Sequence, residues 1–316
     1  MAAVEVELAG IRLRNPFLLA SGIWGESGES LKGAYAAGAA GAVTKSIGAE
    51  PRAGYPNPTV ESYGTWGMLN AMGLPNPGIG EYPREIGIAR DAGVPLIGSV
   101  FAGDAEGFAE VARQMAETGV QALELNLSCP HAKGLGSEVG SDPAEVERVV
   151  RAVVGAVQIP VFAKITPNTA DPVALGLAAE RGGAAAVTAI NTVRALAIDA
   201  RLRRAVLAHG LGGLSGPAIK PVGLAVVWQL YEKLRIPVIG VGGISTADDA
   251  IEYALAGARA VQVGTAVAFD GVRVFGNLSR QLPARLDALG FPSWAFAVGA
   301  AHPPREPSSR SPRGGP

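Results

Sequence analysis

Two lysines interrupt segments that are otherwise apolar enough to be buried strands. Lys45 ends the segment GAVTK, and Lys164 lies within VFAKIT. The chain has only six lysines among its 27 basic residues, so a lysine inside an apolar strand is an unusual choice. A buried ammonium group is costly unless an anion pairs with it or its pKa is lowered. The two lysines therefore predict either a site for an anionic ligand or a structural ion pair inside the barrel.

Cys129 is the only cysteine and follows the end of another apolar segment, in the sequence Asn126-Leu-Ser-Cys-Pro-His131. It cannot form an internal disulfide, an iron–sulfur cluster or a structural zinc site alone. A thiol, with a reference pKa of about 8.5, can take a proton from a weakly acidic C–H group. We expect Cys129 to be a general base rather than an inert core residue, with His131 either its partner or a solvent-facing loop residue.

Glycines follow the last two apolar segments, as Gly242-Gly243 and Gly264-Thr265. In a parallel barrel such glycines let backbone N–H groups approach a phosphate. They could also serve only tight strand-to-helix turns. Together with the two lysines they predict a phosphorylated, electron-accepting ligand. The residues alone leave flavin mononucleotide (FMN) and a phosphosugar substrate equally open.

The segment 67–78, GMLNAMGLPNPG, contains no acidic residue, and no metal site is expected there. Its amide and backbone groups suit a small ligand with carboxylate and carbonyl oxygens. Asn70, Asn126 and Asn191 together would supply neutral donors and acceptors around a planar heterocycle.

Eight short apolar segments must position these side chains. Their composition is continuous rather than alternating, which is typical of parallel strands buried on both faces. Helix signals such as Asp142-Pro143 and Thr246 separate them. Eight strand–helix alternations predict an α/β fold, a single (β/α)8 TIM barrel. The segments begin near Phe17, Gly41, Pro95, Ala122, Val161, Ala186, Val238 and Ala260.

Two long insertions are predicted after strands two and six, at about 47–80 and 192–219. Insertions that follow a strand lie on the barrel face that carries active sites, so we expect binding loops or lids. Residues 4–13 alternate and turn at Ala9-Gly10, which predicts a β-hairpin at the barrel base. The Pro/Ser/Gly-rich residues 302–316 predict a disordered tail, leaving 1–301 as the catalytic domain.

The composition excludes several classes of protein. The 316 residues carry a net charge of −1, which gives no electrostatic reason to expect nucleic acid or membrane binding. No signal peptide or spanning helix is predicted. The single cysteine favours a cytoplasmic location. Only 17% of residues are charged, which predicts a subunit interface and at least a homodimer.

From about residue 4 to 285 the chain resembles the catalytic subunit of class 1 dihydroorotate dehydrogenases. The segment GGLSGPAIKP (212–221) is particularly similar to the NAD-linked subtype, class 1B. The other segments that carry the resemblance are ASG (20–22), TKS (44–46), MLNAMGLPNPG (68–78), ELNLSCP (124–130), AKITPN (163–168), AINT (189–192), GVGGI (240–244) and VGT (263–265).

The resemblance implies FMN as cofactor and oxidation of (S)-dihydroorotate to orotate in pyrimidine (UMP) biosynthesis. Cys129 matches the base that removes the C5 proton, Lys45 a residue between flavin and substrate, and Lys164 one that stabilises charge on reduced flavin. The substrate-binding positions that match are Lys45, Asn70, Ala71, Met72, Gly73, Leu74, Asn126, Asn191 and Thr192. The matching cofactor positions are Ser21, Lys45, Ser46, Ser99, Asn126, Lys164, Ile190, Gly216, Gly242, Gly243, Gly264 and Thr265.

Two positions depart from the class 1B pattern. Ser99 stands where many relatives have Asn, which puts that flavin contact in doubt, and His131 stands where Asn is usual. The flavin domain of dihydropyrimidine dehydrogenases similarly carries SCPH, and it remains an alternative. A Schiff-base aldolase using Lys164 is a second alternative from a different class.

The resemblance also implies how electrons pass from the reduced flavin to an acceptor outside this chain. The chain has no dinucleotide fingerprint and too few cysteines for a cluster. Class 1B enzymes imply a partner subunit with FAD and a 2Fe–2S cluster, giving a heterotetramer. Alternatively, fumarate or another soluble acceptor meets FMN directly.

Overall fold

Short strands and helices alternate through the computed structural model, which describes residues 1–128 and 139–303. The strands, numbered in chain order, are β1 (Val6–Leu8), β2 (Ile11–Leu13), β3 (Phe17–Leu19), β4 (Gly41–Val43), β5 (Val60–Tyr63), β6 (Gly67–Asn70), β7 (Leu96–Val100), β8 (Ala122–Asn126), β9 (Val161–Lys164), β10 (Ala186–Ala189), β11 (Val193–Ala195), β12 (Ile198–Asp199), β13 (Arg204–Ala205), β14 (Gly212–Ser215), β15 (Val238–Val241) and β16 (Ala258–Val263).

Eight of these strands pair in parallel and close into a barrel, in the order β3, β4, β7, β8, β9, β10, β15 and β16. The last strand pairs with the first, with Val261 opposite Phe17. Side chains on both faces of these strands are almost all buried, which explains the continuous apolar composition. The predicted TIM barrel is confirmed, and each strand begins within two residues of its predicted start.

Helices surround the barrel and begin where the sequence signals predict. The Asp142 carboxylate accepts a hydrogen bond from the Ala144 N–H, and Thr246 and Asp249 form a capping box. Within the described residues, no helix is both long and apolar enough to cross a membrane. The helices are α1 (Gly28–Ala36), α2 (Pro83–Asp91), α3 (Ala105–Glu117), α4 (Pro143–Ala156), α5 (Pro172–Gly182), α6 (Lys220–Lys233), α7 (Ala247–Leu255), α8 (Ala266–Asp270), α9 (Arg273–Ala288) and α10 (Trp294–Ala297), with 3₁₀ turns at Val139–Ser141 and Pro217–Ile219.

The predicted N-terminal hairpin is confirmed. Strands β1 and β2 pair antiparallel, with Val6 opposite Leu13. Their alternating burial exposes Glu7 and Arg12 and buries the apolar residues. The Arg259 side chain donates to the Glu7 carbonyl at 3.2 Å, which attaches the hairpin near the start of β16, at the barrel base.

The two insertions lie after β4 and β10, as predicted, and they share one sheet. Strands β11, β14, β6 and β5 form a four-stranded antiparallel sheet in that order. Asn70 in the first insertion pairs with Gly213 in the second. A small second core of Leu69, Ala71 and Leu207 lies beneath this sheet. The sequence predicts binding loops or lids in both insertions. The structure shows in addition that strands of the two insertions pair with each other in one sheet.

The C-terminal boundary differs from the predicted one at His302. This ring stacks on Trp228 with centroids 3.6 Å apart, and its Nε2 lies 3.0 Å from the Ala256 carbonyl oxygen. His302 therefore packs on the barrel domain, although the sequence assigns it to the tail. Residues 304–316, the rest of the predicted tail, lie outside the described residues.

Candidate active site

A cavity of about 1020 Å³ lies at the carboxyl ends of the barrel strands and is also lined by the four-stranded sheet. Most of the predicted site residues line it. They are Ser21, Lys45, Ser46, Asn70, Ala71, Met72, Gly73, Leu74, Asn126, Lys164, Ile190, Asn191, Thr192, Gly216, Gly242, Gly243, Gly264 and Thr265. Residues from both insertions and from most barrel strands thus meet in one place. Cys129 and His131 lie outside the described residues, so their predicted roles stay predictions.

Ser99, a predicted cofactor contact, does not line the cavity. It is completely buried, and its hydroxyl lies 2.9 Å from that of Ser46 on the neighbouring strand segment. Its backbone N–H donates to the Thr44 hydroxyl at 2.9 Å. Because the serine side chain is short, it reaches Ser46 rather than the cavity. Ser99 therefore supports a residue that lines the cavity instead of contacting a ligand itself.

A chain of amide and hydroxyl groups crosses the cavity floor. The Asn191 amide donates to Asn126 Oδ1 at 3.4 Å, and the Asn126 amide donates to Ser46 Oγ at 3.1 Å. Ser46 Oγ also lies 3.2 Å from Ser21 Oγ. Since each group is held by the next, the directions of the remaining donors and acceptors are fixed before a ligand binds.

The Lys164 ammonium group pairs with a carboxylate that is buried inside the barrel. Its Nζ lies 3.6 Å from Glu124 Oε1 and 3.4 Å from Gln262 Oε1. Glu124 Oε2 accepts hydrogen bonds from the Thr188 hydroxyl and from the Gln262 amide nitrogen. The Lys164 side chain is 7% exposed and that of Glu124 is fully buried. The sequence predicts Lys164 as a site residue but gives no sign that Glu124 pairs with it.

Lys45 has a different partner, at the cavity mouth. Its Nζ lies 3.0 Å from Glu26 Oε1; the lysine side chain is 5% exposed, while that of Glu26 is 68% exposed. Glu26 also lines the cavity and is absent from the predicted set. An exposed carboxylate is held weakly, so an incoming anion can take its place beside Lys45.

The glycine turn after β15 has a backbone conformation that favours glycine. Gly242 and Gly243 have φ values of 129° and 71°, a region that residues with a Cβ rarely adopt. Gly216, which also has a positive φ of 94°, lies beside them, and a Cβ on Gly243 would lie 2.9 Å from its carbonyl oxygen. A side chain is therefore excluded where a ligand would approach the backbone.

Asp249 fixes the residues that follow this turn. Its carboxylate accepts from the backbone N–H groups of Ser245 and Thr246 at 3.0 and 2.8 Å, and from Lys220 Nζ at 2.7 Å. Burial raises the pKa of Asp249, but the hydrogen bonds from Lys220, Ser245 and Thr246 outweigh it and hold that pKa below its ordinary value. The ionised carboxylate thereby joins α6, the glycine turn and α7.

The asparagine-rich segment 67–78 is held over the cavity by both insertions. The Asn70 amide donates to the Gly213 carbonyl at 3.3 Å. Asn76 is buried, and its Oδ1 accepts from the N–H groups of Gly48 and Gly78 at 3.2 and 2.9 Å. Asn76 thus shapes the loop, whereas Asn70 lies on the cavity wall.

Two aromatic rings at the cavity wall are not in the predicted set. Tyr55 and His209 stack with ring centroids 3.9 Å apart, and both line the cavity. Tyr55 belongs to the first insertion and His209 to the second, and neither lies in a periodic pattern of apolar residues. Their proximity follows from the shared sheet, which the sequence does not reveal.

The lining residues fit a flavin mononucleotide. The volume is at the upper end of the roughly 300–1,000 Å³ usual for ligand pockets, enough for a ligand larger than one small metabolite. Ile190, Val241 and Ile23 supply apolar walls for a planar ring. Among the described lining residues the carboxylates are Glu26 and Asp270, whereas the predicted phosphate positions are glycines and the Thr265 hydroxyl.

Comparison with known proteins agrees with this geometry. The family model described as dihydroorotate dehydrogenase matches residues 3–286. This chain therefore belongs to the dihydroorotate dehydrogenase family, which is a family of oxidoreductases.

Curated relatives are similar over nearly their whole length. The chain is 50% identical over 301 residues to a protein of Thermoplasma acidophilum, covering 95% of this chain and 99% of that protein. It is 50% identical over 298 residues to one of Pyrococcus horikoshii, covering 94% and 97%. A protein of Methanocaldococcus jannaschii is 50% identical over 277 residues, covering 86% and 90%. All three are named dihydroorotate dehydrogenase B (NAD(+)), catalytic subunit.

Replacing Asp249 should destabilise the protein in a pH-dependent way. Because its pKa is lowered by folding, its contribution is present above the unfolded value of about 3.9 and is lost as pH falls through the folded value. We expect Asp249→Asn to lower the free energy of unfolding by about 1–3 kcal/mol at neutral pH. The difference from wild type should narrow below about pH 4.

Urea unfolding at several pH values measures this difference. Asp248→Asn is the matched control, because Asp248 is the preceding residue and forms an exposed ion pair with Arg285. Its loss should cost less than about 1 kcal/mol. Equal losses in the two variants at neutral pH would contradict the role assigned to Asp249.

Proposed function

We propose that this protein oxidises (S)-dihydroorotate to orotate with FMN as its bound cofactor, a step of pyrimidine biosynthesis. The observation that carries the proposal is the meeting of two buried lysines, three asparagines and the glycine turns in one cavity. Membership of the dihydroorotate dehydrogenase family supports it. The cavity offers cationic and neutral donors, as an anionic substrate and a phosphorylated cofactor require.

Residues on one side of the cavity would hold FMN. Gly242, Gly243, Gly264 and Thr265 would contact its phosphate, and Lys164 would donate to the ring. When bound, FMN supplies the acceptor that takes a hydride from C6 of dihydroorotate. Lys164 contributes a fixed positive charge where negative charge develops, and such stabilisation is worth several kcal/mol in comparable sites.

The substrate would lie between the asparagines and Lys45. Asn70, Asn126 and Asn191 offer amide donors and acceptors to its ring, and the network through Ser46 keeps the Asn126 amide oriented. Lys45 would pair with the substrate carboxylate. The ion pair between Glu26 and Lys45 would then break. Its free-energy cost is small because the Glu26 side chain is exposed to solvent.

Cys129 would complete the reaction as the general base. Its thiolate takes the proton from C5 while the hydride leaves C6, so that a C5=C6 double bond forms. This role rests on the sequence, where Cys129 follows the strand that carries Asn126. Asn126 is the last residue of β8, and both Asn126 and Ser128, the residue before Cys129, line the cavity.

The two alternatives account for less of the site. An aldolase would need Lys164 as a free nucleophilic amine, whereas its Nζ lies 3.6 Å from the buried Glu124 carboxylate and 3.4 Å from Gln262 Oε1. A dihydropyrimidine dehydrogenase flavin domain leaves the match to the dihydroorotate dehydrogenase family over residues 3–286 unexplained.

The electrons would pass to a separate protein. The named relatives are catalytic subunits of NAD(+)-dependent enzymes, which supports a partner here as well. We propose a homodimer of this chain in the cytoplasm, joined by electron-transfer subunits with FAD and a 2Fe–2S cluster in a heterotetramer. One cysteine and the lack of a dinucleotide fingerprint support a division of labour of this kind.

Dihydroorotate should bleach the visible flavin absorbance of the purified protein under anaerobic conditions. Dihydrouracil, which lacks the carboxylate that Lys45 would bind, should react at least about 100-fold more slowly because that ion pair would no longer hold the substrate in place. Stopped-flow spectroscopy measures both rates. A protein that takes up no FMN, or that reacts faster with dihydrouracil, would overturn the proposed function.

Cys129→Ser should slow flavin reduction by about two to four orders of magnitude, since a hydroxyl is a far weaker acid than a thiol and is almost never present as the anion that accepts the proton. The loss should be smaller at high pH. Cys129→Ala is the matched comparison, because it lacks any base and should gain nothing from alkaline pH. Unchanged kinetics of anaerobic flavin reduction in both variants would show that Cys129 is an inert residue and not the general base.

A further inference from the structure

Glu124 is a fully buried carboxylate inside the barrel. It lies two residues before Asn126 on β8, so both side chains point to the barrel interior. Thr188 on β10 and Gln262 on β16 hydrogen-bond to it, and these three residues come from the fourth, sixth and eighth barrel strands. Alternate strands supply one layer of a TIM barrel, so this is a polar layer within an apolar core.

The orientation of Gln262 follows from this layer. Its amide nitrogen donates to Glu124 Oε2, so its Oε1 must face the other way, and it lies 3.4 Å from Lys164 Nζ. Lys164 therefore has two acceptors behind it, Gln262 Oε1 and the Glu124 carboxylate. An ammonium group has three N–H donors, so donor capacity remains for a ligand in the cavity that Lys164 lines.

Glu124 Oε1 has no hydrogen-bond partner among the described residues, and the Lys164 ammonium at 3.6 Å is the cation beside it. A buried carboxylate with a free oxygen is costly unless a positive charge lies close to it. Thr188 and Gln262 are neutral, so neither compensates that charge. The other charged residues that are buried in the described part of the chain are Lys45 and Asp249, which pair with Glu26 and Lys220.

We propose that Glu124 is a positioning residue for the reaction: its buried carboxylate pairs with the Lys164 ammonium and holds it aimed at the cavity. The role of Lys164 toward FMN rests on the proposed function, whereas the pairing of Glu124 with Lys164 does not. In general, a buried amine that loses its anionic partner shifts toward its neutral form. Removing Glu124 should therefore make the Lys164 amine reactive at lower pH.

Pulse labelling of the full-length protein with acetic anhydride tests the pairing directly, because only the neutral amine reacts. Mass spectrometry then gives the labelling of each lysine as a function of pH. In Glu124→Gln, the labelling of Lys164 should begin at least about one pH unit lower than in wild type. Lys45, which lines the same cavity and is equally buried, is the internal control and should label alike in both proteins.

Two further variants complete this test. Thr188→Val removes a hydrogen bond to Glu124 but leaves its charge, so Lys164 labelling should match wild type. Glu124→Asp keeps the negative charge but places it farther from Lys164, because the aspartate side chain is shorter. The pH at which Lys164 labelling begins should then lie between those of wild type and Glu124→Gln. This variant replaces Glu124→Gln in the test if Glu124→Gln does not fold. Identical Lys164 labelling in wild type and in both Glu124 variants would overturn the proposal.

A fluorescence titration with FMN separates this inference from the proposed function. Wild type should bind FMN with similar affinity at about pH 6.5 and pH 9, while Glu124→Gln should bind roughly tenfold more weakly at the higher pH only. Weakening by the same factor at both pH values would indicate a merely structural role for Glu124. If wild type bound no FMN at either pH, the proposed function would fail while the labelling result still tested the pairing.

Discussion

Closure of the barrel, through the pairing of β16 with β3, is the constraint on which the site depends. Eight parallel strands in a closed ring bring eight carboxyl ends to one rim, whatever their separation along the chain. Lys45, Asn126, Lys164 and Asn191 lie at or just after the ends of four different strands and line one cavity for this reason. The rim then needs only to be covered, and the four-stranded sheet formed by the two insertions covers it.

The barrel interior is less uniform than its apolar sequence suggests. Glu124, Thr188 and Gln262 form a polar layer at the cavity floor, where Gln262 also lines the cavity, and each is fully buried. Buried polar groups of this kind are tolerated when they are hydrogen-bonded to one another, and here the free oxygen of the carboxylate faces Lys164. The two cavity lysines consequently differ: Lys164 is anchored from inside the barrel, and Lys45 is paired at the mouth with an exposed carboxylate that can move aside.

The sequence predicted the features that depend on local pattern. Strand starts, the hairpin, the two insertion points and most lining residues follow from apolar periodicity, glycine placement and family motifs. It did not predict contacts between distant segments. The pairing of β6 with β14, the stacking of Tyr55 on His209 and the pairing of Glu124 with Lys164 depend on register and side-chain direction around the closed ring. Ser99 shows the same limit: the family resemblance gives it as a cofactor position, although serine replaces the usual asparagine there, and its buried hydroxyl contacts Ser46.

A crystal structure of the protein with FMN and orotate would show whether the strand ends form one flavin and substrate site. We expect the FMN phosphate on the turns that contain Gly243 and Gly264, Lys164 hydrogen-bonded to the flavin ring, and orotate between Asn70, Asn191 and Lys45. FMN bound elsewhere, or orotate bound without contact to Lys45 and the asparagines, would contradict this expectation.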